Sequence, residues 1–283
     1  MNLLISGSTG FVGKYLTEMF RSKGHDVLTL GRSEFNDYQV NLETEFIEVN
    51  NEFDIIIHCA GIVHNQLHAS NFIPDLVLKD FLITTNFLKS IESTNHKKVV
   101  FLSSVAIYGL NSGLDIAEDC IPNPTSGYGV SKLLSEKLFE LSINKQKLLI
   151  FRLPLVNGPN PKGNIEKLEK AISQGKMVLF RSNVSKKSLL EVSYLFDMIA
   201  SNGLKLCGVF NIKSYDIVFN EFAEEIGMRT ATEIFKLPYF VLRALKFISK
   251  ILCFRLVYLT VLKISTHLTF DDSLLLEKID QTD

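Results

Sequence analysis

The sequence predicts an α/β protein: a doubly wound parallel sheet with a smaller C-terminal lobe. Three observations carry this prediction. Short, continuously apolar runs alternate with amphipathic helical patterns through the first half of the chain. The first apolar run leads directly into a glycine-rich turn, and the alternation loosens after about residue 155. Strands that are apolar on both faces need helices on both sides, and this is the arrangement of a covered parallel sheet.

The predicted elements follow one another in order along the chain. Continuous apolar runs predict buried strands, and the amphipathic segments between them predict helices. The predicted strands cover 2–6, 26–30, 54–58, 98–103 and 147–153, and the predicted helices cover 11–22, 81–92 and 131–141. The second half predicts a loop over 158–161, a helix over 165–174 and a strand over 209–212. We therefore divide the chain at residue 157: 1–157 form the sheet domain, and 158–283 mostly form the lobe, with some segments returning to the sheet.

Composition excludes several classes of protein. The chain of 283 residues is long enough for one large domain or for a domain with a smaller lobe. A formal net charge of −1 gives no attraction to nucleic acid, so we expect no nucleic-acid partner. No stretch reaches the roughly 20 uncharged apolar residues of a membrane span, and the N-terminus lacks the basic segment of a signal peptide. We therefore expect a cytoplasmic protein.

Cysteines and histidines give no metal-binding pattern. Cys59, Cys120, Cys207 and Cys253 are widely separated, as reduced thiols of a cytoplasmic protein are. The histidines at 58, 64 and 68 lack the spacing of a metal motif and are expected to be structural or to line a substrate. We therefore expect no metal site.

The glycine-rich turn predicts a phosphate-binding site. Gly7 permits the tight turn, Gly10 lets the backbone approach a pyrophosphate, and Gly13 lets helix and strand pack closely. The helix that follows offers free N–H groups to the phosphates. Because the turn follows a strand and opens a helix, we interpret 1–157 as a Rossmann-type dinucleotide-binding domain. The cofactor contacts expected here are Gly7, Ser8, Thr9, Gly10, Phe11, Val12 and Gly13.

The end of the second strand bears on the choice between NAD and NADP. An acidic residue there binds the ribose 2′-hydroxyl of NAD, and the sequence has none at Leu30, Gly31 or Ser33. Arg32 stands there instead, and a guanidinium is suited to a 2′-phosphate. A solvated surface arginine is the alternative. The sequence leaves both cofactors open and leans weakly towards NADP.

Three polar residues form a candidate catalytic group. Tyr128 and Lys132 lie four residues apart, so they project from the same face of a helix. A nearby ammonium favours the phenolate, and a tyrosine pKa near 7 requires about 4 kcal/mol of differential stabilisation. Ser104 ends a strand, where ligand crevices of α/β sheets open, and its hydroxyl can orient a substrate oxygen. Together with the glycine turn, these residues predict transfer of a hydride and a proton.

These motifs belong to a wider pattern. The chain also carries His58-Cys-Ala60-Gly61, Thr84-Thr-Asn86-Phe-Leu, Ser103-Ser104-Val-Ala-Ile-Tyr108-Gly109 and Arg152-Leu-Pro-Leu-Val-Asn-Gly158-Pro159. With them it resembles the extended short-chain dehydrogenase/reductase family, in its NAD-dependent epimerase/dehydratase branch, over most of its length. The resemblance implies that Tyr128 is the base, that Lys132 also holds the nicotinamide ribose and that Ser104 positions a sugar. It further implies that Ala60 and Gly61 border the cofactor.

The second half resembles the UDP-glucose 4-epimerase-like proteins of polysaccharide gene clusters. Their substrate loop matches Gly158-Pro-Asn-Pro-Lys162-Gly163-Asn164, and Lys187-Ser-Leu stands where they carry an arginine before Ser-Leu. The resemblance implies that Asn164 and Lys187 contact the diphosphate of a nucleotide sugar of the UDP-hexose type. The chain departs from the pattern at Asp80, where asparagine is usual, at Ser193-Tyr194, and in lacking a C-terminal Leu-Gly-Trp-x-Pro.

Three functions stay open at this point. A nucleotide-sugar 4-epimerase of surface polysaccharide precursor synthesis ranks first, because the subgroup resemblance points to it. A nucleotide-sugar 4-keto reductase would use the same residues and consume NAD(P)H. A dinucleotide-binding module without chemistry ranks last, because Tyr128 and Lys132 are both present.

Two interactions with other molecules are also open. Residues 234–270 contain no acidic side chain and six basic ones among many apolar residues. Such a segment is typical of a helix at an anionic membrane surface, although a packing helix of the lobe is favoured. The resemblance makes a homodimer plausible.

Overall fold

The computed structural model describes residues 1–62, 73–251, 261 and 263–282. The predictions at His64 and His68 lie outside these residues, as do parts of the basic segment 234–270.

The central sheet has seven parallel strands in the order β11-β7-β5-β4-β1-β2-β3. These strands are β1 (Asn2–Ser6), β2 (Asp26–Gly31), β3 (Tyr38–Gln39), β4 (Glu52–His58), β5 (Asn95–Ser104), β7 (Leu148–Leu153) and β11 (Gly208–Asn211). The order reverses between β1 and β4, where the crevice of a doubly wound sheet opens at the carboxyl ends of the strands. The predicted doubly wound parallel sheet is confirmed.

Helices cover both faces of this sheet. The helices of the described residues are α1 (Phe11–Ser22), α2 (Ile73–Ser90), α3 (Gly127–Ser142), α4 (Asn164–Ser173), α5 (Val192–Asn202), α6 (Phe219–Arg229), α7 (Tyr239–Ile251) and α8 (Ser273–Asp280). Of these, α1, α2, α3, α5 and α8 pack on the central sheet. Successive strand residues alternate between faces: Leu3 and Ile5 pack with α1, α5 and α8, whereas Leu4 packs with α2 and α3. The apolar character of both strand faces follows from this double cover.

A second sheet builds the smaller lobe. Its strands run β12-β10-β14-β6, and β8 also pairs with β10. The strands are β6 (Gly113–Ile116), β8 (Leu155–Asn157), β10 (Lys186–Glu191), β12 (Tyr215–Val218) and β14 (Leu268–Phe270), and a separate pair is β9 (Val178–Phe180) with β13 (Phe235–Leu237). Helices α4 and α6 cover β8 and β10 through Ile165, Ile172, Phe222 and Ile226.

The chain passes between the two sheets more than once. β6 comes from the first half of the chain and pairs with β14, near the C-terminus, in the smaller sheet. β11 comes from the second half and pairs with β7 at the edge of the central sheet. The division at residue 157 remains a prediction about domain organisation, and these two strands are the segments that cross it.

A buried polar network ties α3 to the central sheet. Glu136 on α3 accepts two hydrogen bonds from Arg152 on β7, at 3.1 Å to Oε1 and 2.9 Å to Oε2, and one from the Ser103 hydroxyl at 2.5 Å. Arg152 also donates to the Tyr108 hydroxyl at 3.0 Å, and Tyr108 donates to Asn211 on β11 at 2.8 Å. The network therefore joins α3, β5, β7 and β11, and its member Ser103 immediately precedes Ser104 in the chain.

Removing one charge of this buried pair is expected to destabilise the fold strongly. In Glu136→Gln the Arg152 guanidinium stays buried without its carboxylate, which costs about 3–5 kcal/mol of the free energy of unfolding. Chemical denaturation measures this loss. Glu140→Gln is the matched control, because Glu140 lies on the same helix and pairs with the exposed Lys137 at 2.6 Å. The control is expected to lose about 0–1 kcal/mol, and equal losses in both variants would contradict the assignment.

Candidate active site

The glycine-rich turn is shaped by close backbone contacts. Gly7 has a φ of +71°, and a Cβ there would stand 2.6 Å from the Ala60 nitrogen at the end of β4. A Cβ on Gly13 would stand 2.3 Å from the Gly7 carbonyl oxygen. Side chains at these two positions would push β1, β4 and α1 apart, so the turn can form only with glycine.

This turn leaves an open cradle at the start of α1. The first hydrogen bond of the helix runs from the Lys14 nitrogen to the Gly10 carbonyl oxygen at 2.8 Å. The N–H groups of Phe11, Val12 and Gly13 therefore precede any carbonyl partner within the helix, and Gly10 caps it without a side chain. A bare helix N-terminus beside a bare glycine is suited to a pyrophosphate, so the residues fit a dinucleotide.

The residues after β2 include a buried polar side chain besides the predicted Arg32. Arg32 is largely exposed, and its Nη1 lies 3.2 Å from Glu43 Oε1. Asn36, which the sequence did not single out, is buried against Gly31 and accepts a hydrogen bond from the Ser8 hydroxyl at 2.5 Å. Asp37, an acid that follows this strand, accepts hydrogen bonds from Thr29. Asn36 is thus an additional candidate for contact with the adenosine half of a cofactor.

The candidate catalytic residues meet where β5 ends and α3 begins. Ser104 is the last residue of β5, and its hydroxyl accepts from the Ala106 nitrogen at 3.2 Å. Tyr128 lies in the first turn of α3, which Ser126 caps by accepting from the Gly129 nitrogen at 3.1 Å. Lys132 lies one turn further on, with Nζ 6.0 Å from the centre of the Tyr128 ring.

Gly129 brings these two elements together. A Cβ on Gly129 would stand 2.5 Å from the carbonyl oxygen of Ala106, in the 3₁₀ turn that follows Ser104. Glycine at this position lets α3 approach the end of β5 closely. The sequence signal was present, since Gly129 directly follows Tyr128, but its partner is distant in sequence and only the fold reveals it.

Lys132 is buried beside the cofactor turn. Its side chain is only 6% exposed, and Nζ lies 5.0 Å from the centre of the Phe101 ring. A Cβ on Gly61 would stand 3.0 Å from Lys132 Nζ and 3.1 Å from Asp80 Oδ1. The ammonium and the carboxylate therefore face each other across Gly61, which is one of the residues predicted to border the cofactor.

Asp80 is an unusual member of this group. It is almost fully buried on α2; its Oδ1 accepts from the Ile62 nitrogen at 2.9 Å, while its Oδ2 has no hydrogen-bond partner. A buried carboxylate oxygen without a donor is costly unless a positive charge compensates it. Lys132 is the positive charge beside it. The departure from asparagine therefore places a second ionisable group next to the candidate catalytic lysine.

The other titratable neighbours of Lys132 stay neutral. Burial lowers the pKa of His58 well below its ordinary value, and the charge of Lys132 lowers it further. Burial raises the pKa of the Cys59 thiol to about 12, against the smaller opposite effect of Lys132. His58 holds the Ser6 hydroxyl at 2.8 Å and packs on Phe87. Its role is structural, and the described residues contain no cluster of three potential metal ligands.

The predicted substrate residues lie in the smaller lobe. Lys187 is buried on β10, where its Nζ donates to the Thr266 carbonyl oxygen at 2.7 Å, and burial lowers its pKa to about 8. Asn164 is the exposed first residue of α4. Within the described part of the chain, no hydrogen bond joins the two. A Cβ on Gly158 would stand 2.5 Å from Val192 and 3.4 Å from Phe11, so this loop begins beside the glycine turn.

Comparison with known proteins is consistent with this site. The model of the NAD dependent epimerase/dehydratase family matches residues 3–198. The chain is 24% identical over 255 residues to N-acetyl-alpha-D-glucosaminyl-diphospho-ditrans,octacis-undecaprenol 4-epimerase of Escherichia coli O157:H7, covering 84% of this chain and 76% of the relative. It is 26% identical over 216 residues to a UDP-glucose 4-epimerase of Vibrio cholerae, covering 71% of this chain and 66% of the relative.

Solved structures share the fold. UDP-glucuronic acid 4-epimerase from Bacillus cereus, in complex with UDP-glucuronic acid and NAD, superposes with a TM-score of 0.66 at 19% identity, over 84% of this chain and 86% of that one. The family match extends from β1 into α5 and so includes the glycine turn, Ser104, Tyr128 and Lys132. The chain belongs to the NAD dependent epimerase/dehydratase family.

Proposed function

We propose that this chain is a 4-epimerase that inverts a hydroxyl-bearing carbon of a sugar linked to a diphosphate. A nucleotide sugar is the substrate that we rank first. One observation carries the proposal. Lys132 is buried against Gly61 at the cofactor turn, and Tyr128 lies on the same helix beside the end of β5. A proton acceptor, its charged neighbour and a dinucleotide cradle are therefore arranged around one crevice. The relatives described as 4-epimerases support the same reaction.

The chain's own residues supply binding and proton transfer. The cradle of Gly7, Gly10 and the α1 N-terminus would hold the dinucleotide, with Ala60 and Gly61 along its edge. When bound, the dinucleotide would supply reversible hydride exchange with the sugar carbon, and inversion would require the hydride to return to the opposite face. Tyr128 accepts the hydroxyl proton and gives it back, and the Lys132 ammonium favours its phenolate form. Ser104 donates a hydrogen bond to the same sugar oxygen and orients it.

The family description bears on the choice between NAD and NADP. The family description names NAD, one of the two dinucleotides that the sequence allows. The lean towards NADP rests on Arg32, which is held by Glu43 in the structure. That lean remains a prediction, and Asn36 is the better buried polar group at this end of the site.

Partners and location complete the proposal. Within the described residues no helix has the length and apolarity to cross a membrane. The described cysteines Cys59, Cys120 and Cys207 are unpaired, which supports the cytoplasm as the proposed compartment. The predicted homodimer and the predicted membrane contact through residues 234–270 are proposals about partners.

Replacing Tyr128 by phenylalanine tests the proposed reaction. Purified protein is mixed with UDP-glucose and, separately, UDP-N-acetylglucosamine, and the C4 epimer is measured by chromatography without added reductant. We expect Tyr128→Phe to lower kcat by about 10²–10⁴-fold, because the proton acceptor is lost, while NAD binding stays unchanged. Tyr38→Phe, which alters an exposed hydroxyl bonded to Asn51, is the control and should keep its activity.

Two outcomes would contradict the proposal. Full activity of Tyr128→Phe would remove this residue from the reaction. Consumption of NADH or NADPH in step with product from a 4-keto sugar, without epimerisation, would identify a reductase instead.

The pH dependence of substrate capture tests Lys187. Its pKa of about 8 means that the ammonium is present below that pH and lost above it. We therefore expect kcat/KM for the nucleotide sugar to fall as the pH rises through about 8. Lys187→Arg, whose guanidinium stays charged, is expected to remove this fall, whereas Lys186→Arg on the same strand should keep it. A wild-type profile that is flat through this range would exclude Lys187 from diphosphate binding.

Asp80 is expected to stabilise the fold through the buried lysine that it faces. Asp80→Asn preserves the acceptor for the Ile62 nitrogen but removes the carboxylate facing Lys132. The buried ammonium then loses part of its compensation, so we expect a loss of about 1–3 kcal/mol in the free energy of unfolding, measured by chemical denaturation. Asp75→Asn, on the exposed side of α2 and paired with Lys79, is the control and should lose about 0–1 kcal/mol. Equal stability of Asp80→Asn and the unchanged protein would show that Asp80 does not compensate the Lys132 ammonium.

A further inference from the structure

Helix α7 carries two apolar faces. One face is buried: Leu242 is 2% exposed and packs with Phe180 of β9 and with Val261. The other face is open to solvent, where Phe240 and Phe247 are 69% and 66% exposed and Ile248 is 48% exposed. A surface helix normally buries its apolar stripe and exposes a polar one. The exposed apolar face of α7 departs from this pattern.

The open face is a continuous stripe. Phe240, Ala244, Phe247 and Ile248 follow the spacing of neighbours on one side of a helix, and all four are exposed. We call these four residues the α7 stripe. Tyr239 and Phe235, just before it in the chain, are also exposed. The surface is therefore aromatic as well as apolar, and it is too extended to be one chance exposed residue.

The sequence of the segment that contains the stripe carries basic residues and no acidic ones. The segment 234–270 contains no acidic residue and includes Lys236, Arg243, Lys246, Lys250, Arg255 and Lys263. Lys236 is paired with Glu224 at 2.8 Å, but Arg243 is exposed on α7 one turn from Phe240. An aromatic stripe beside an exposed arginine, in a segment without acidic residues, resembles the composition of helices that lie in the interface of an anionic bilayer.

A second copy of the chain fits this surface less well. Two α7 stripes placed face to face would bring their arginines and lysines together with no carboxylate on the helix to offset them. Like charges in contact destabilise an interface. An anionic lipid surface instead offers acyl chains for Phe240, Phe247 and Ile248 and phosphates for the basic residues.

We propose that the α7 stripe docks this chain on an anionic membrane surface. The inference assigns the membrane contact proposed for 234–270 to these four residues and to an anionic surface, and it does not depend on the proposed reaction.

Residues 264 and 266, which follow α7 in the chain, contact the strand that carries Lys187 and the residues just before it. The Ile264 carbonyl oxygen accepts from the Asn183 side chain at 2.8 Å and from the Ser185 hydroxyl at 2.7 Å, and Thr266 accepts from Lys187 at 2.7 Å. The residues that follow α7 thus contact the proposed diphosphate site. Docking places that site near the membrane, where it can meet a sugar diphosphate carried by a lipid; only this consequence rests on the proposed function.

Co-sedimentation of the full chain with vesicles tests the docking. One set of vesicles contains phosphatidylcholine alone, and the other contains equal parts of phosphatidylcholine and phosphatidylglycerol. We expect binding to the anionic vesicles, weakened by salt, and a loss of about tenfold or more in the double variant Phe240→Ser, Phe247→Ser. The control is Ile121→Ser, Leu141→Ser, which removes two side chains that are 83% and 85% exposed elsewhere.

A fluorescent variant keeps the test decisive if the double variant unfolds. The chain has no tryptophan, so Phe247→Trp introduces a single indole into the α7 stripe. Its emission is expected to shift to shorter wavelength on addition of anionic vesicles, whereas that of Leu141→Trp should not move. No sedimentation with anionic vesicles, equal binding to both vesicle types, or an unshifted Phe247→Trp spectrum would overturn the proposal. None of these measurements requires turnover, so failure of docking and failure of the epimerase proposal are distinguishable.

Discussion

The burial of the Lys132 ammonium at the end of the central sheet is the constraint on which the rest of the site depends. A charge removed from water must find compensation in its surroundings, and the fold supplies it from several elements. Asp80 on α2 faces Nζ across Gly61, and the Phe101 ring of β5 lies 5.0 Å away. A Cβ at position 61 would stand 3.0 Å from Nζ and 3.1 Å from Asp80 Oδ1, so glycine there lets the two charged groups lie close to the backbone. Residues of α2 and β5 and the turn after β4 thus surround one buried cation.

The same helix that carries this cation is held by a second buried charge pair. Glu136 lies one turn beyond Lys132 on α3, and its bonds to Arg152 and Ser103 lock the helix against β7 and β5. Ser103 directly precedes Ser104, so the bond that fixes the helix also fixes the strand end where the candidate catalytic serine lies. The same residues therefore stabilise the fold and position the candidate site. For that reason we expect a change that weakens the pair to displace Tyr128 and Ser104 as well as to destabilise the fold.

The sequence predicted the limits of an element correctly where the residues that set those limits lie next to it in the chain. The predicted β1 and α1 have the observed limits, because a glycine turn separates them and Gly24 closely follows the helix. Helix α2 begins at Ile73 rather than at residue 81, since its first two turns mix polar and apolar residues without a clear period. The pairing of β6 with β14 joins residues about 150 positions apart and involves short, weakly apolar strands. The partners of Asp80, Gly129 and Asn36 are likewise distant in sequence, so periodicity carries no information about them.

The basic segment near the C-terminus illustrates the limit of periodicity. Its apolar residues suit both a packed helix and a membrane-surface helix, because a pattern records spacing but not which side meets the core. In the structure Leu242 enters a cluster with Phe180, as a packed helix would, while Phe240 and Phe247 on another side of α7 face solvent. A helix that needed only to pack would gain nothing from phenylalanines on its open side, since exposed aromatic surface favours association. The absence of any carboxylate from 234–270 is the reason that we propose an anionic surface as the partner of this face.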